Sequence, residues 1–100
     1  MRKVFESFEG ELDDEVVEKA RGICSRLRSS IAALGDFPDE DEVVAAIERF
    51  VKSFVALDAK YDFMTSAEAD DVRSWFEEFA VAKELGVGSL DDLEDVSLPA

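Results

Sequence analysis

One hundred residues are enough for one domain with a modest core, and 47% hydrophobic residues, eight Phe among them, supply the material to fill it. The balance of 25 acidic to 11 basic residues gives a net charge of −14, which disfavours nucleic acid and anionic membranes, since both are bound through Lys and Arg. With no histidine in the chain, Ser-His-Asp and Cys-His catalysis, histidine metal sites and a switch near neutral pH are all excluded.

Taken in chain order, the N-terminus from Met1 to Glu6 starts basic but has no apolar run, so no signal peptide is expected. Val4, Phe5 and Phe8 suggest a turn or short helix. The spacing of Val16, Val17, Ala20, Ile23, Cys24, Leu27, Ile31 and Leu34 predicts a helix over 13–34, with Asp13, Asp14 and Glu15 at its positive end and Gly35 after its last apolar residue. A second helix is predicted over 39–58. Pro38 precedes four acids, Asp39 to Glu42, and Val43, Val44, Ile47, Phe50, Val51, Phe54 and Leu57 form its stripe.

The third helix, predicted over 66–85, opens on Thr65-Ser66-Ala67-Glu68, the pattern of a capping box. Val72, Trp75, Phe76, Phe79, Ala82 and Leu85 carry its stripe, and Gly86 closes it. Leu90, Leu93 and Val96 behind a Ser89 cap suggest a short C-terminal element. No β-branched stretch alternates at period two, so no sheet is expected. The reading is one all-α domain over 1–100, a small antiparallel bundle of three main helices with short helical elements at both termini.

Chemistry-bearing constellations are sparse. Cys24, the only cysteine, lies on an apolar stripe between Ile23 and Leu27 and reads as a small buried hydrophobe. Gly86-Val87-Gly88 follows a helix instead of a strand, the wrong context for a dinucleotide fingerprint. From Asp36 onward carboxylates abound, but an EF-hand is ruled out by Pro38 at its third place and Asp41 at its sixth. No cofactor, no metal and no enzymatic activity are expected.

What remains is surface. Three acidic clusters, Glu9 to Glu15, Asp36 to Glu42 and Asp91 to Asp95, each flank a predicted helix start, where the macrodipole gives them a local reason. A small basic patch, Lys19, Arg21, Arg26 and Arg28, lies on the polar side of the first helix and is expected to offset neighbouring acids. Phe50, Phe54, Trp75, Phe76 and Phe79 read most simply as core, although Trp75 sits at the edge of its stripe, where a partly exposed indole would make an interface anchor.

In size, charge and helicity the chain resembles immunity proteins and phage-encoded inhibitors of basic proteins, a resemblance of type that no motif carries. It implies a cytoplasmic inhibitor or immunity-type domain that binds a basic protein. The residues expected to contact that partner are Asp36, Asp39, Glu40, Asp41, Glu42, Trp75, Asp91, Asp92 and Asp95. A phage DNA mimic is the sharper form of this reading. An assembly subunit that oligomerises through an apolar helix face, a homodimer included, is the alternative. Solubility alone, or a halophilic origin, would also account for the acidity.

Overall fold

Asp13 follows a turn and caps the first helix, its carboxylate accepting from the N–H of Glu15 at 3.0 Å. The computed structural model describes residues 3–85 and residue 98. Within them the helices are α1, Asp14–Ala33; α2, Glu40–Tyr61; and α3, Ser66–Ala82, preceded by a 3₁₀ turn at Glu6–Phe8. Among the described residues there is no strand, only an isolated bridge between Glu9 and Leu12. None of the described helices is long and apolar enough to cross a membrane. Gly86, Ser89, Leu90, Leu93 and Val96 lie outside the described residues.

Each helix end has an identifiable local cause. Gly35 adopts φ +85 after α1, a left-handed conformation that suits a residue without Cβ. α2 runs on to Tyr61 and stops where Asp62 turns left-handed, φ 49. The carboxylate of Asp58 then accepts the N–H groups of Phe63 and Met64 at 3.1 and 2.7 Å, which fixes the turn into α3. The expected capping box is present: Glu68 reaches back to the amide of Thr65 at 3.2 Å and is itself buried.

α3 ends at Ala82, three residues short of its expected limit. Glu84 takes the left-handed conformation at φ 53, and the amides of Glu84 and Leu85 donate to the carbonyls of Val81 and Ala80. This is a Schellman end with glutamate at the usual glycine position. Leu85 packs back on the core from the next position, which explains why the chain turns before Gly86. Ala82, expected on the buried stripe, is exposed, while Ala69 and Ala80 lie inside.

Every apolar position predicted for α1 from Val16 to Ile31 is buried, Cys24 included. α1 and α2 approach each other closely. α3 instead meets α2 through aromatic rings: Trp75 stacks between Phe50, centroids 5.8 Å apart, and Phe79, centroids 5.4 Å apart. The N-terminal turn plugs the core with Val4 and Phe5, both almost fully buried. Phe5 meets Phe8, Phe54 and Phe63 edge to face.

Candidate functional site

The loop between α1 and α2 must leave one helix and start the next within a few residues. Pro38 holds the preceding residue away from helical geometry, and Asp36 and Phe37 form a bend between the helices. Its side chain is 97% exposed, the extreme among the exposed large hydrophobic residues described. Asp36, Asp39, Glu40, Asp41 and Glu42 surround it in sequence, and all are exposed. Asp39 is the N-cap of α2, yet its side chain makes no capping bond. Among the described residues, none of these five carboxylates has a side-chain hydrogen bond or ion pair. They far exceed what one helix start requires and leave an acidic knuckle with an aromatic tip.

A shallow cleft beside the knuckle is lined by Phe37, Pro38 and Val43 on one side and by Lys83, Glu84 and Leu85 beyond the end of α3 on the other. Apolar surface and a left-handed turn therefore flank the acids. Asp36 and Glu40 line the same cleft, with Lys83 and Glu84 as charged groups from beyond α3.

Five of the predicted contact residues, Asp36, Asp39, Glu40, Asp41 and Glu42, thus share one surface. Trp75 does not join them. It is 3% exposed and held between Phe50 and Phe79, so its expected role as an exposed anchor is corrected to a core role. Phe50 of α2 covers the edge of the α3 stripe where Trp75 sits. Asp91, Asp92 and Asp95 lie outside the described residues. The aromatic tip itself, Phe37, was missed by sequence reasoning, although an aromatic between Asp36 and Pro38 in an interhelix loop was a readable signal.

The first acidic cluster sits elsewhere. Glu15 and Asp13 lie against Tyr61, the last residue of α2, whereas the knuckle occupies the first turn of α2. With a rise of 1.5 Å per residue, the two clusters are separated by about 30 Å of helix. They lie at opposite ends of α2. Partial burial of the ring, a hydrogen bond to Glu15 and the charges of Glu15 and Asp13 together hold the Tyr61 phenol above its ordinary pKa of 10.0.

The basic patch also divides. Arg21 turns toward the N-terminal segment, pairing with Glu9 at 2.6 Å and donating from Nε to the carbonyl of Val4 at 3.3 Å. Lys19 and Arg26 face the seam with α2. Among the described residues no group of His, Cys, Asp and Glu side chains is disposed to hold a metal ion. Comparison with models of known protein families, with curated proteins and with solved structures finds no match to the chain.

Proposed function

We propose that the chain is a protein-binding domain that presents the Phe37 knuckle to a basic partner, in the manner of an inhibitor or immunity-type protein. The observation that carries this reading is a Phe 97% exposed amid five carboxylates that, among the described residues, have no side-chain partner. Water gains nothing from that arrangement, whereas a basic surface with an apolar socket would bury the ring and neutralise the acids together. The net charge of −14 adds long-range attraction for such a partner. The separation of the two described acidic clusters favours a local knuckle over a continuous acidic face of the kind a DNA mimic would present.

The test is quantitative affinity capture from the host, comparing the native chain with a variant carrying Asp39→Asn, Glu40→Gln, Asp41→Asn and Glu42→Gln. The reading expects a basic protein enriched by the native chain and lost from the variant, which remains helical. Capture that ignores all four substitutions would assign the acidity to solubility alone.

A further inference from the structure

The seam between α1 and α2 gathers cations in a chain that is otherwise strongly acidic. Lys19, Arg26 and Lys60 border an open cleft of about 680 Å³ floored by Gly22, Ile23, Ala56 and Leu57. The cleft continues past Arg26 and Ser53 to Ser30 and Arg49. Lys19 and Arg26 come from one wall, Arg49 and Lys60 from the other, and all four are exposed. Among the described residues, Arg26, Arg49 and Lys60 form no ion pair, and Lys19 reaches Glu15 only at 4.0 Å. From Lys19 to Ser30 the seam is about 16 Å long at the helical rise.

Gly22 stands out within this cleft. It lies inside α1 on an exposed face, where glycine weakens a helix, and a Cβ added there would meet nothing within 4 Å. The fold itself therefore gives no reason for its small size. Close approach by something outside the chain would.

We propose that this seam binds an acidic amphipathic helix of a partner protein, laid along α1 and α2 as an additional helix of the bundle. Its apolar stripe would rest on exposed Ala56 and the gap at Gly22, above the buried Ile23 and Leu57, and its flanking carboxylates would meet the cations on both walls. The cations are strung along two walls instead of converging on one point, which suits an extended acidic surface better than a single phosphate. The net charge of −14 opposes any acidic ligand at long range, so the attraction is confined to short contacts with the four cations of the cleft. This inference is independent of the Phe37 knuckle, which lies on the loop between the two helices.

The probe is a synthetic helix of about 18 residues with Leu at heptad-stripe positions and Glu elsewhere, long enough to span the seam. It is titrated to millimolar concentration into isotope-labelled protein and followed by amide chemical shifts. The proposal expects saturable shifts centred on Gly22, Arg26, Ser53 and Lys60, and no shifts at these four residues with the Lys-for-Glu peptide. Arg26→Glu combined with Arg49→Glu should weaken binding at least about tenfold, because like charges then face each other. Gly22→Leu should block binding while raising the thermal midpoint, since it fills the floor and improves the helix. Absence of localised shifts, equal binding by unstructured poly-glutamate or inorganic phosphate, or seam shifts produced by raising the concentration of the protein alone would each overturn it. The last two would assign the seam to simple anions or to a second copy of the chain.

Discussion

The backbone N–H of Phe5 donates to Oδ2 of Asp71 at 2.7 Å, joining the N-terminal turn to the middle of α3 across 66 residues of sequence. Phe5 is fully buried and left-handed at φ 59, a conformation that costs an L-residue about 1–2 kcal/mol. Its ring contacts with Phe8, Phe54 and Phe63, together with the Asp71 bond, hold it there. Arg21 fastens the same turn from α1 through Val4 and Glu9.

Asp71→Ala should therefore leave a buried amide without its acceptor and destabilise the fold by about 1–3 kcal/mol. Asp71→Asn, which keeps an acceptor oxygen, should cost less. The neighbouring Asp70→Ala, which breaks only an exposed contact to Arg73, should stay within about 0.5 kcal/mol. Urea denaturation of the three variants checks the order, and equal losses at positions 70 and 71 would refute the role given to Asp71.

Glu84 occupies the left-handed position that closes α3, where glycine is the better residue. Relief of its strain, less the greater freedom of glycine in the unfolded chain, predicts that Glu84→Gly stabilises by on the order of 0.5–1 kcal/mol. The urea midpoint should rise at constant slope. A fall would mean that the Glu84 side chain contributes more than its backbone costs.

Tyr61 is the only tyrosine, so its ionisation can be followed directly by tyrosinate absorbance. The native midpoint should lie above 10.0, and Glu15→Gln should lower it by removing a nearby negative charge. The fold favours the neutral phenol. This contribution to stability is therefore fully present below pH 10 and is lost as pH rises through the elevated native value. A midpoint at or below 10.0 in the native protein would contradict the proximity of Glu15 and Tyr61.

The three helices were legible because their signals are local: the spacing of Val16 to Ile31, the acids after Pro38, and the Thr65-Glu68 box are contained in single segments. Relations between segments were not. Trp75 looked marginal on its own stripe because the ring that covers it, Phe50, belongs to α2. Arg21 and Arg28 align a heptad apart, but the partners of Arg21 come from the turn before the helix. The acidic clusters looked alike in sequence. Only the packing of Tyr61 against Glu15 shows that one of them lies at the far end of α2 from the other. Phe37 was counted as core-forming material because composition treats every Phe alike, whereas Pro38 and the short loop hold it in solvent.

The knuckle is tested most directly by installing the photo-reactive benzoyl derivative of phenylalanine at position 37 and irradiating the native host. Because the Phe37 ring is 97% exposed, the reactive group samples whatever surface docks there without disturbing the core. One dominant adduct with a basic protein is expected. That adduct should diminish at high salt, as the Debye length falls from about 10 Å at 0.1 M to roughly 3 Å at 1 M. An adduct with a second copy of the chain, or no adduct above the level seen with the same group at exposed Val81, would contradict it.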